Sequence, residues 1–90
     1  MSINTFHTTT KLPKFVLEVI SGNDKANKVK EKMIECFKSG IKVLWLLYPD
    51  NQTVQIYTSL KQAQICTDDD ICSARPVLED FEIRADEIFA

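Results

Sequence analysis

The chain contains few of the residues on which common catalytic and metal-binding signatures depend. Its 90 residues include two glycines and one histidine, and they form no Gly-rich phosphate loop and no HExxH zinc motif. The histidine, His7, lies in a polar stretch with no obvious cysteine or serine nucleophile beside it. The three cysteines show neither CxxC nor Cys/His ligand spacing, so we predict neither a disulfide framework nor a structural zinc site.

Long apolar runs and targeting segments are also missing. The longest uninterrupted apolar run extends from Val43 to Leu47, far below the roughly 18 residues of a membrane-spanning helix. Residues 1–10 are polar and lack the apolar region of a signal peptide. We therefore expect a cytoplasmic protein with reduced thiols and no membrane partner.

The overall composition is that of an ordinary globular domain. Hydrophobic residues make up 44% and charged residues 27%, and the net charge is −2. This charge gives no global attraction to nucleic acid, so such binding would require a local basic face. The acidic run Asp68–Asp70 lacks the alternating ligands and the glycine of a calcium loop, and we interpret it as a solvated turn or helix cap.

The middle of the chain predicts a βαβ unit. Phe15–Ser21 is rich in β-branched and aromatic residues, and Val43–Leu47 is apolar without alternation, which is typical of strands covered on both faces. Between these strands, apolar residues recur at three- and four-residue spacing, as on one face of a helix that ends near Lys38. These residues are Ala26, Val29, Met33, Cys36 and Phe37.

The ends of this helix also have sequence signals. Asn23 or Asp24 is the expected side-chain cap for its first N–H groups. Gly40 occupies the position of a left-handed residue that follows a helix.

The second half of the chain predicts further strands and a terminal helical turn. Thr53–Tyr57 alternates with period two and, with Leu60–Cys66, predicts a β-hairpin. Asp80–Ile83 is predicted to be extended. Arg84–Phe89 is predicted to form a helical turn that docks on the core through Ile88 and Phe89.

Together these signals predict one α/β domain over residues 13–90. We expect a mixed sheet in which strands near 15–21 and 42–48 run parallel through a helical crossover, and the hairpin extends this sheet antiparallel. Residues 1–12 are either a disordered leader or an edge strand.

Several segments, in order and at specific spacing, closely resemble the second half of the Uma-two family. The segments are Pro13–Ser21, Asn23-Asp24, Glu31-Lys32, Ser39–Ile41 and Val43–Pro49, and in the tail Val77–Phe81 and Ile88-Phe89. This family consists of restriction-endonuclease-like proteins of the PD-(D/E)XK nuclease superfamily. The resemblance covers residues 13–89 and implies a truncated restriction-endonuclease-like fold.

The resemblance also implies a chemistry, the hydrolysis of a DNA phosphodiester with Mg²⁺ as the cofactor. Glu18 matches the strand carboxylate of the family and is the candidate metal ligand and catalytic residue. Lys32 matches the lysine of the following helix, which substitutes for the missing lysine of the E-x-K motif, where this chain has Ile20. A carboxylate can hold a hard cation, and an ammonium can orient water or offset phosphate charge. An alternative interpretation of Glu18 is a strand-end charge paired with Lys32.

The chain departs from the family pattern at several positions. Lys14 stands where relatives usually have an aspartate before the strand, and Tyr48 stands where they have an aspartate before the second proline. Full-length relatives are longer, and their first half carries the earlier strand with a metal-binding aspartate. These departures favour a catalytically weak or inactive module over an active nuclease.

Two functions follow as hypotheses. In the first, the chain binds DNA through Lys25, Lys28 and Lys32, or binds a full-length relative, although these lysines are also compatible with an ordinary solvated face. In the second, it is a Mg²⁺-dependent endonuclease whose active site is completed by another chain. We also predict a homodimer, because the strand Phe15–Ser21 would lack the neighbour that relatives supply and would present an open edge.

Overall fold

The computed structural model describes residues 9–90, which form seven strands and two helices. Five of these strands make one mixed sheet. In chain order the elements are β1 (Thr9–Leu12), β2 (Phe15–Val19), α1 (Ala26–Lys38), β3 (Val43–Tyr48), β4 (Thr53–Ser59), β5 (Gln62–Thr67), β6 (Ile71–Ala74), β7 (Leu78–Arg84) and α2 (Ala85–Ile88). Neither helix is long and apolar enough to cross a membrane.

The predicted βαβ unit is confirmed. The five-stranded sheet has the order β1-β2-β3-β4-β5, and β2 pairs in parallel with β3 through the register Phe15 to Val43. The hairpin β4–β5 continues the sheet antiparallel, as the alternation of its sequence predicts. A second sheet, β6–β7, was not predicted as a separate layer.

Each face of the five-stranded sheet has its own apolar core. On one face, α1 places Met33 against Val16, Leu44 and Leu46. On the other face, β6, β7 and α2 cover a core centred on Trp45, whose ring stacks on Phe81 at 5.8 Å. Both central strands are therefore interior, which explains why their sequences are apolar without alternation.

The terminal helical turn is confirmed. It forms α2, and the docking of Ile88 and Phe89 on the core is confirmed as well, since both pack in the cluster around Trp45. Gly40 adopts the predicted left-handed conformation with φ 100°, which an L side chain would strain.

The predicted side-chain cap of α1 is wrong. The N-cap residue is Lys25, and no side chain caps the first N–H groups of the helix. The Asp24 carboxylate instead accepts a hydrogen bond from the backbone N–H of Ser21 at 2.7 Å, so it closes the preceding turn. Local side-chain to backbone bonding of this kind competes with capping.

The premise that β2 forms an open edge is also wrong. β1 pairs antiparallel with β2, from Thr9 opposite Glu18 to Leu12 opposite Phe15. The last part of the segment 1–12 is therefore an edge strand of the same chain. The rest of that segment, which includes His7, lies outside the described residues.

Candidate functional site

The structure brings together the two residues that the family resemblance singles out. Glu18 lies on β2 and faces α1, and the Nζ of Lys32 on α1 lies 3.7 Å from its Oε1. The Glu18 side chain is only 9% exposed, whereas the Lys32 side chain is 59% exposed. The pair therefore joins a buried carboxylate to a cation at the protein surface.

The strands on either side of Glu18 bring no carboxylate opposite it. Its register partner on β1 is Thr9, and its partner on β3 is Leu46. In the described part of the chain, no group of three or more His, Cys, Asp or Glu residues could hold a metal ion. A divalent cation at Glu18 would also have to displace the Lys32 ammonium. The described residues therefore do not by themselves form a Mg²⁺ site.

Glu18 lies between two openings of the surface. The first, which we call the helix cavity, has a volume of about 80 Å³ between the sheet and α1, and Glu18, Asp24, Lys28 and Lys32 line it. The second, which we call the strand groove, has a volume of about 370 Å³ and is lined by Lys11 of β1 in addition to Glu18 and Lys32. A polar ligand can thus approach Glu18 and Lys32 from either side.

The Cys36 thiol lies close enough to Glu18 for the carboxylate charge to change its pKa. Burial raises the pKa of Cys36, and the negative charge of Glu18 raises it further. Because a thiol is nucleophilic only as the thiolate, this shift makes Cys36 a poor nucleophile. We therefore treat it as part of the apolar wall behind Glu18.

The other predicted lysines lie at different distances from the site. Lys28 lines the helix cavity and pairs with Glu31 at 3.5 Å. Lys25 is exposed at the start of α1 and lines neither opening. Lys11 was missed by the sequence interpretation. Its signal is weak, since only its register opposite Val16 places it near Glu18.

A third opening, which we call the tyrosine cavity, adjoins the helix cavity. Its volume is about 380 Å³, and it shares an apolar wall with the helix cavity through Ile20, Val29, Met33 and Leu46. The rest of its lining is polar and aromatic, namely Ser21, Gly22, Asp24, Lys30, Tyr48, Asp50, Asn51, Gln55 and Tyr57 with the N-terminal Ala26 of α1. The sequence interpretation had noted Tyr48 only as a departure from the family pattern.

Comparison with solved structures shows the fold. One similar structure, from Anabaena variabilis ATCC 29413, is described as "a putative nuclease belonging to DUF820". The TM-score is 0.74 at 22% sequence identity, over 84% of this chain and 43% of that chain. The chain thus spans less than half of the length of the protein it matches.

Comparison at the level of sequence shows the family. No curated protein matches the chain. The family model Uma2, which we have called Uma-two and which is described as "Putative restriction endonuclease", matches residues 3–86. The match covers nearly the whole chain and includes all the segments quoted above except Ile88-Phe89. The chain therefore belongs to the Uma-two family of restriction-endonuclease-like proteins.

Proposed function

We propose that this chain is a nuclease-fold module that binds the DNA backbone around Glu18 and Lys32 and cleaves it weakly or not at all by itself. The observation that carries the proposal is the ion pair at 3.7 Å between the two side chains. On the neighbouring strands, the residues opposite Glu18 are Thr9 and Leu46, neither of which is a carboxylate. A phosphate can be bound by such a lysine. A divalent metal ion at Glu18 would find no second carboxylate on the neighbouring described strands.

Three lysines surround the entrance to Glu18 and support binding of a phosphate backbone. Lys11, Lys28 and Lys32 are exposed and line the helix cavity or the strand groove, beside the carboxylates of Asp24 in the cavity and Glu35 in the groove. Ammonium groups bind phosphates as point charges, and each contact releases counterions from DNA. Lys25 stands at the start of α1, whose first turn carries no acidic residue. The partial positive charge of that helix end therefore adds to the lysine charge.

A second candidate function is a Mg²⁺-dependent endonuclease completed by another chain. It is favoured by the length comparison, since the chain corresponds to 43% of the similar nuclease structure. A full-length relative, or a further copy of this chain, would then supply the missing carboxylate. Glu18 is suitably placed to bind the metal ion of such a shared site, because it lines both the helix cavity and the strand groove.

We also propose self-association and a cytoplasmic location. With β2 covered by β1, the candidate surface for a homodimer is β5, the other end strand of the described sheet. β5 contains no charged residue, and its Ile65 is 62% exposed. Uncharged edge strands readily pair with another strand. The cytoplasmic proposal rests on the three cysteines, all of which are free.

Fluorescence anisotropy with labelled duplex DNA tests the proposed binding. Lys32→Gln and Lys28→Gln are expected to weaken binding and to lower the salt dependence by about one phosphate contact each. Lys42→Gln is a matched control, because Lys42 is exposed and lines none of the three openings. Equal binding by all four proteins, or no binding by the wild type, would refute the proposal.

A further inference from the structure

The tyrosine cavity lies beyond the carboxyl ends of two parallel strands. Tyr48 is the last residue of β3, and Ile20 and Ser21 directly follow β2. In open α/β sheets, ligands bind in the crevice outside the carboxyl ends of the strands. The volume of about 380 Å³ is also that of a small-molecule site.

The chemistry of this cavity suits a flat, neutral ring. Tyr48 and Tyr57 are both half-buried in it, and the Tyr57 hydroxyl donates a hydrogen bond to Oε1 of Gln55 at 3.3 Å. This bond leaves the amide NH₂ of Gln55 as a donor for a ligand. Burial raises the pKa of Tyr48, and the neighbouring Tyr57 raises it further, so its ring stays uncharged.

The charges at the rim argue against a phosphate in the cavity itself. Asp24 and Asp50 line it together with a single cation, Lys30. The two loops that carry these carboxylates approach closely, since a Cβ built on Gly22 would lie 3.2 Å from Oδ2 of Asp50. Carboxylates accept hydrogen bonds from exocyclic amino groups of bases, as in recognition of cytosine N4.

We propose that the tyrosine cavity binds an unpaired nucleobase with an exocyclic amino group, next to the backbone site at Glu18 and Lys32. This inference rests on the proposed function and assigns its substrate class as nucleic acid with an accessible, unstacked base. The base stacks against Tyr57, and Asp50 accepts a hydrogen bond from its amino group. The shared wall of Ile20 and Leu46 connects the base to the helix cavity.

Anisotropy with two single-stranded probes of equal length separates base binding from backbone binding. The first probe is an oligodeoxycytidylate, and the second has the same backbone with abasic sites. Since stacking on an aromatic side chain contributes a factor of about ten per base, the wild type is expected to bind the first probe about tenfold more tightly. Tyr57→Leu should remove this difference, whereas Lys32→Gln should weaken both probes equally.

Asp50→Asn provides a second variant at an exposed position that does not threaten folding. It is expected to reduce the preference for oligodeoxycytidylate over oligothymidylate, because thymine has no exocyclic amino group. Asp69→Asn makes the same charge change in the turn before β6, outside the cavity, and should leave the preference unchanged.

Three outcomes would overturn the inference. Equal binding of the cytidylate and abasic probes would refute a base site and leave backbone binding by the lysines intact. Base recognition would lie elsewhere if Tyr57→Leu kept the preference for cytidylate over the abasic probe and Asp50→Asn kept the preference for cytidylate over thymidylate. Failure of the wild type to bind either single-stranded probe would refute the base site, and the separate measurement with duplex DNA would then decide the proposed function.

Discussion

The ammonium of Lys32 lies 3.7 Å from the carboxylate of Glu18, and this contact joins the helix of the βαβ unit to its first strand. Glu18 is the one buried charged residue among those described. A buried carboxylate is costly unless it is paired or hydrogen-bonded. Glu18 and Lys32 can therefore stabilise the fold as well as bind a ligand, and experiments must separate the two contributions.

Unfolding by urea measures the stabilising contribution of the pair. Lys32→Gln is expected to lower the free energy of unfolding by about 1 kcal/mol, because Glu18 then loses a cation in a site poorly reached by water. Lys28→Gln removes a pair in which both partners are exposed and should cost less than about 0.5 kcal/mol. Equal losses for the two variants would show that burial of Glu18 does not strengthen its pair.

A gain-of-function variant tests whether a second carboxylate is what the site lacks. Thr9→Asp places a carboxylate directly across the strand pair from Glu18, at a separation of about 5 Å between Cβ atoms. Without metal, the two like charges should destabilise the protein. With Mn²⁺ in large excess over its dissociation constant, stability should rise by about 2 to 3 kcal/mol.

The control for that variant is Thr10→Asp, which pairs with Leu17 and so belongs to the opposite sheet face. Thermal unfolding with and without Mn²⁺ measures the effect. If Mn²⁺ raised the melting temperature of the wild type as much as that of Thr9→Asp, the described site would already be complete.

The buried thiols predict a loss of stability in alkaline solution. Burial is the main factor that raises the pKa of Cys72 from 9.0 to about 12. Between these values the unfolded chain has released the proton that the folded chain still holds, so stability falls as the pH rises above 9.0. This group contributes a slope of about 1.4 kcal/mol per pH unit.

Replacement of Cys72 tests its contribution to the pH dependence of stability. The stability gap between the wild type and Cys72→Ala should narrow as the pH rises above 9.0. The gap for Val54→Ala, a buried position without a titrating group, should stay constant. A constant gap for Cys72→Ala would contradict the raised pKa.

The open edge of β5 predicts concentration-dependent association. Sedimentation velocity of the wild type is expected to show a dimer that dissociates on dilution. Ile65→Lys places a charge on the exposed edge strand and should shift the equilibrium to monomer. Lys61→Gln, in the adjacent turn, is the control. A wild-type monomer at high micromolar concentration would refute the dimer.

The sequence predicts the part of the fold that depends on local periodicity. Phe15–Val19, α1 and Val43–Tyr48 each bury one or both faces, so their apolar spacing carries the information. The sequence does not identify the cap of α1. Whether the Asp24 carboxylate accepts a hydrogen bond from the first helix N–H groups or from the N–H of Ser21 depends on the loop geometry. Nor does it predict β6, whose four residues are too few for a clear period.

The candidate site likewise has one part that the sequence predicts and one part that it does not. Glu18 and Lys32 could be found through the family resemblance, which fixes their positions in a strand and the following helix. The tyrosine cavity could not, because it depends on three separate segments and on where α1 begins. Period-two alternation places Gln55 and Tyr57 opposite the buried Val54 and Ile56, but it cannot show that α1 leaves them partly uncovered.

One assay tests the central claim most directly, namely that the chain binds DNA at Glu18 and Lys32 without cutting it efficiently. Supercoiled plasmid is incubated with the wild type, Glu18→Gln and Lys32→Gln in Mn²⁺ or Mg²⁺, and both retardation and nicking are followed on the same gel. The account predicts retardation by the wild type, weaker retardation by Lys32→Gln, and at most a trace of nicking above that of the Glu18→Gln protein. Conversion of most of the plasmid by the wild type, dependent on metal and abolished in Glu18→Gln, would contradict it and would establish an active nuclease.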